Sequence, residues 1–130
     1  MSVGAGEILR CAAVIAEAAH GEANFRSAIS RCYYAAYHAA YARHCALPAP
    51  GSGGYRRTGR HETLVNQLYH PGVRREHPGY WRSIALARML NRGRLLRLQA
   101  DYRLEVDVDR GQMIGAVANA SIIVRQCGGG

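Results

Sequence analysis

Residues 27–45, SAISRCYYAAYHAAYARHC, set Arg31, Tyr34, His38, Tyr41 and Cys45 at steps of three and four, the spacing of one helix face. Arg31 and His38 are seven apart, which on a helix puts them within about 20° around the axis and about 10 Å along it. Arginine grips phosphate through its fork of N–H groups, and exposed tyrosines either stack on unpaired bases or furnish a helix–helix interface. The alternative is that the tyrosines line a wide core and Arg31 reaches a carboxylate on the first or last helix. Phe25, Ala28, Ile29, Cys32, Ala36, Ala39 and Ala40 share another side, whose small residues admit neighbouring helices closely.

Other chemistries find no foothold. A P-loop, a Rossmann glycine pattern and a His-Glu-x-x-His motif are absent, and Ser27 and Ser30 show no Ser/His/Asp arrangement, so the sequence calls for no cofactor. Cysteines at 11, 32, 45 and 127 are too widely spaced for a zinc site or a disulfide framework. Three of them fall in apolar helical stretches and read as inert buried thiols. His20, His44, His70 and His77 belong to no constellation.

The elements that must hold these residues are helices. Ile8, Cys11, Ala12, Ile15 and Ala19 mark a first helix over 7–20, stopped by Gly21. A second spans 23–46 and ends at LPAPGSGG, which predicts a mobile loop over about 47–59. A short third covers 61–69 and a fourth 80–102, with Gly93 as a kink point. The alternation EVDVD at 105–109 has no partner strand and reads as a connector whose Asp109 caps the last helix. There Met113, Ile114, Val117, Ala118 and Val124 form the expected apolar stripe. The fold expected is all-α, an up-and-down four-helix bundle with an extra short helix, as one domain over 1–127 with a flexible tail at 128–130.

Composition narrows the partners. Seventeen basic residues face nine acidic ones for a net charge of +8, and every basic residue is arginine. Such an excess points to nucleic acid or another polyanion, with an acidic protein as the second choice. Arg88 and Arg92, one turn apart, are placed to track a phosphate backbone or to form a solvated face. No apolar run nears the roughly 18 residues of a membrane span, and the N-terminus lacks a secretion-signal layout, so a cytoplasmic protein is expected.

The run AISRCYYAAYHAA resembles the signature helix of the HEPN superfamily, and RLQADY at 97–102 resembles its arginine-x-x-alanine-aspartate-tyrosine element. The resemblance spans about 23–124. It implies a helical bundle that forms a homodimer and acts on RNA, as a metal-independent endoribonuclease of a toxin–antitoxin or phage-defence system. A nucleotidyltransferase antitoxin or a larger defence complex would be the partner, Tyr102 being its target for modification. A non-catalytic scaffold that binds RNA or protein is the alternative. Catalytic members carry an arginine, four to six residues, then a histidine. Arg31 with His38 is the first choice here, completed by Arg97, Asp101 and Tyr102, while Arg56 with His61 is the second, at a helix start that favours an anion. Tyr34, Tyr41, Arg88 and Arg92 would contact RNA.

Overall fold

The computed structural model describes residues 3–46, 51 and 59–128 of the chain. Five helices follow in order: α1 (Ala5–Glu17), α2 (Glu22–Cys45), α3 (Arg60–Tyr69), α4 (Gly79–Tyr102) and α5 (Arg110–Gln126). Four are long and α3 is short, with no strand among the described residues. The loop expected over 47–59 lies almost wholly outside the described residues. Gly51 is within them. It sits so close to the carbonyls of Gln67 and His70 that a Cβ there would overlap both.

α2 is the hub, packed against α1, α4 and α5, while α3 rests mainly on α4. Its alanine-rich side is buried as the periodicity requires, with Ala28, Ile29, Cys32, Ala36, Ala39 and Ala40 all in the core. Phe25 is only half-buried. The guanidinium of Arg110 covers its ring at 5.0 Å and donates to the carbonyl of Ala19 at 2.9 Å. Gly93 lies within a continuous α4 and marks a close approach, since a Cβ would sit 3.4 Å from Tyr33 and Asn119.

The segment after α4 owes its shape to one buried arginine. Arg26 donates to the carbonyls of Gln99 and Ala100 at 3.0 Å, Arg103 at 3.3 Å and Val106. Helix C-termini leave their last carbonyls without intrahelical partners, and Arg26 supplies one to Ala100 from α2, while the carbonyls of Gln99 and Arg103 also accept from the amides of Arg103 and Val106 at 3.1 Å. Glu22 holds Arg26 at 3.0 Å and accepts from the Val108 amide at 3.2 Å. EVDVD is therefore a connector, as its lack of a partner strand implied. Asp109 then closes a capping box with Gln112 at the start of α5.

Three expectations are corrected. Cys11 and Cys45 are exposed, and only Cys32 is fully buried; α1 and α2 turn the first two to solvent. On α5 the core side is Met113, Ala116, Ala120, Ile123 and Val124, whereas Ile114 is 58% exposed and Ala118 is also exposed. That helix is apolar on several sides, so periodicity alone did not show which side meets α2. Among the described residues Arg31 reaches no carboxylate; the buried arginine of α2 is Arg26.

Candidate functional site

An open groove of about 790 Å³ runs between α2, the start of α3 and the last turns of α4. α4 contributes Arg97 and Asp101, one turn apart and so on one side of the helix. Asp101 Oδ2 accepts from Arg97 Nε at 2.8 Å and from the Ser30 hydroxyl of α2 at 3.1 Å. The carboxylate thus aims the Arg97 guanidinium, whose Nη1 has no partner among the described residues. The same guanidinium lies 5.2 Å from the Tyr102 ring centroid, with Nη2 at 3.4 Å from the Tyr102 hydroxyl. Tyr102 itself is 64% exposed and lies outside the groove lining.

α3 contributes Arg60 and His61 from its first turn. His61 Nδ1 sits 3.1 Å from the Tyr33 hydroxyl, and the Tyr37 ring meets the imidazole edge-on at 4.5 Å. Burial, then the positive charges of Arg97, Arg60 and Arg94, hold the His61 pKa below its usual 6.5, so the ring is neutral at pH 7. Burial pushes the Tyr33 hydroxyl up to about 12, so it keeps its proton. Either the phenol donates to Nδ1, with the hydrogen of neutral His61 on Nε2, or Nδ1–H donates to the phenol oxygen and Nε2 is left as a proton acceptor.

The sequence candidates divide. Arg31 and Tyr34 line the groove, both exposed, and Arg31 makes no ion pair among the described residues. His38 lies on the flank, half-buried, with the Tyr34 ring at 4.4 Å and the Tyr37 ring at 5.4 Å. It does not line the groove but adds to the field on His61. Arg56 lies outside the described residues, so the pair formed in space is His61 with Arg97. Tyr41 is half exposed and stacks on Tyr37 at 6.2 Å, away from the groove lining. Arg88 and Arg92 are exposed and likewise outside it.

Ser30, Tyr33 and Arg60 were not foreseen in the site. Ser30 and Tyr33 are three apart, one ridge of α2, and that ridge was a signal in the sequence. What the sequence lacked was the direction from which α3 arrives.

Among the described residues Asp101 is the only carboxylate in the groove lining, and no cluster of three His, Cys, Asp or Glu is placed to hold a metal. No protein family model, curated protein or solved structure matches this chain.

Proposed function

We propose that the chain is a HEPN-type protein acting on RNA in the cytoplasm, a metal-independent endoribonuclease that works as a homodimer. The observation that carries this reading is the placement of His61 between Arg97, Arg60 and Tyr33, in an open groove edged by Arg31 and Tyr34. Three guanidinium groups supply bidentate contacts to a phosphodiester, and the Tyr34 ring gives an unpaired base a surface to stack on.

Cleavage proceeds by attack of the 2′-oxygen on phosphorus with departure of the 5′-oxygen, leaving a 2′,3′-cyclic phosphate and a 5′-hydroxyl. The arginines neutralise charge on the non-bridging oxygens. One neutral His61, with Nε2 free of hydrogen, accepts the 2′-hydroxyl proton, and a second His61 that holds a proton there delivers it to the departing 5′-oxygen. A homodimer placing two grooves on one phosphate would supply both rings, which is the support the groove lends to dimerisation. A toxin–antitoxin or phage-defence setting, with a nucleotidyltransferase partner acting at Tyr102, rests on the sequence resemblance alone.

The depressed pKa of His61, which disfavours the imidazolium a general acid needs, also favours a second reading, an RNA-binding module that grips phosphates without cutting. Incubation of purified protein with single-stranded RNA in EDTA separates the two, run beside His61→Ala, Arg97→Gln and the Arg31→Ala/His38→Ala double variant. The ribonuclease reading expects cyclic phosphate ends, lost in His61→Ala and Arg97→Gln and reduced in the double variant. Salt-sensitive binding of uncut RNA would establish the module. Neither cutting nor binding would overturn both.

A further inference from the structure

A second groove, of about 510 Å³, opens where the C-terminal ends of α2 and α5 meet the first turns of α4. It shares no lining residue with the RNA groove, and along α3 the two are separated by about 10 Å, the rise from His61 to Leu68 at about 1.5 Å per residue. Its size falls in the range of small-molecule sites, roughly 300–1,000 Å³.

The lining is a mixture with a definite chemistry. Leu68 and Leu86 are buried and give an apolar floor. Trp81, the chain's single tryptophan, is 60% exposed at the rim. Its ring is held by Tyr80 edge-on at 4.9 Å and 85°, so it stands as an oriented flat surface. Among the described residues of this lining Arg43 from α2 and Arg82 from α4 are the charged groups, and no carboxylate is among them. Neither arginine forms an ion pair within the described residues, in contrast to Arg26, Arg97 and Arg103. Burial raises the Cys127 thiol above its usual range while Arg43 pulls the other way; the thiol stays neutral and adds no negative charge.

An exposed indole costs water contact over a large apolar face, and two unpaired guanidinium groups on one small concavity repel each other. Each feature alone has ordinary causes; Arg43 in the last turn of α2 complements that helix's negative end. Together, over an apolar floor, they fit one class of guest. An aromatic ring satisfies the indole and the floor, and an oxyanion one bond from the ring satisfies both guanidinium groups through charge-assisted hydrogen bonds.

We propose that this groove binds a small aromatic anion, its ring against Trp81 and its phosphate or carboxylate between Arg43 and Arg82. The site is separate from the proposed RNA groove and stands whether or not that groove cuts RNA.

Trp81 reports on its own site. The full-length protein would be titrated with phenyl phosphate and benzoate while Trp81 emission is followed, with phenol and inorganic phosphate as single-feature controls. Saturable change with either aromatic anion, at least about tenfold tighter than with phenol or phosphate, is the expected result. Arg82→Gln and Arg43→Gln should each weaken binding about tenfold with helicity unchanged by circular dichroism. His61→Ala and Arg97→Gln should leave the titration unaltered, which separates this site from the RNA groove. No saturable change, phenol and phosphate binding as well as the joined molecules, or unchanged affinity in both arginine variants would each overturn the proposal.

Discussion

The hydrogen bond between Tyr33 and His61 Nδ1 at 3.1 Å ties the imidazole tautomer to the phenol, and the groove's chemistry turns on which nitrogen holds the hydrogen. If the phenol donates to Nδ1, long-range ¹H–¹⁵N spectra at pH 7.5 should show His61 protonated at Nε2. Tyr33→Phe removes the donor, and the ring should shift toward a mixture of tautomers; a spectrum unchanged by the substitution would mean that Tyr33 does not set the state. His44 poses a different residue-scale question. It is 3% exposed, and both ring nitrogens lack a hydrogen-bond partner among the described residues. Burial lowers its pKa below 6.5. The stability tied to its neutral form is therefore full above about pH 6.5 and is lost as pH falls through the lower folded value. His61 shifts in the same direction, whereas Glu22 and Glu105 are held below 4.5 and act at lower pH. His44→Leu removes an imidazole with unmet hydrogen bonds and should raise stability by about 1–2 kcal/mol at pH 7. The gain should widen toward pH 5, as measured by urea unfolding at a series of pH values. Parallel pH profiles for the two proteins would show that His44 does not titrate in the fold.

At the scale of elements, the end of α4 hangs on Arg26. Removing it strands the carbonyls of Ala100 and Val106, takes one of two partners from those of Gln99 and Arg103 and leaves Glu22 without its cation. Arg26→Gln should cost about 3 kcal/mol, read as a lower denaturant midpoint, with amide exchange rising first over 100–108. Even loss of protection across all helices would place the role of Arg26 elsewhere. This arginine also shows what the sequence disclosed and what it did not. Helix positions, the Asp109 cap and the alanine side of α2 follow from period and turn chemistry, which act over a few residues. Arg26 joins positions some 75 apart, and nothing in its own neighbourhood marks it as buried; Arg31, five residues on, reads just as well. The site divides the same way. Arg97 and Asp101 were visible as one turn of a helix, and Arg31 and Tyr34 as another. That His61 and not His38 would face Arg97 depends on how α3 docks against α4, a long-range fact. α5 failed for a third reason, since apolar residues on several of its sides left the period without a unique answer.

For the molecule as a whole, the question is whether its net charge of +8 acts as a diffuse field or through a few placed contacts. A field attracts any polyanion and steers its approach, while a site fixes a countable number of phosphates and releases their counterions. The groove holds three arginines clear of the core, Arg31, Arg60 and Arg97. If each meets one phosphate of a single strand, log affinity against log salt should fall with a slope of about −2, at about −0.7 per contact. Arg60→Gln or Arg97→Gln should then make that slope shallower by about 0.7. Arg88→Gln/Arg92→Gln, on the same α4 but outside the groove, removes twice the charge and should weaken binding slightly with the slope retained. A diffuse field makes the opposite forecast, with the double variant losing most because it loses most charge. Fluorescence anisotropy of a labelled uridine-rich oligonucleotide across a salt series distinguishes them, and it does so whether or not the RNA is cut. A slope that follows the groove arginines would place the phosphates beside His61, which shares the groove with them.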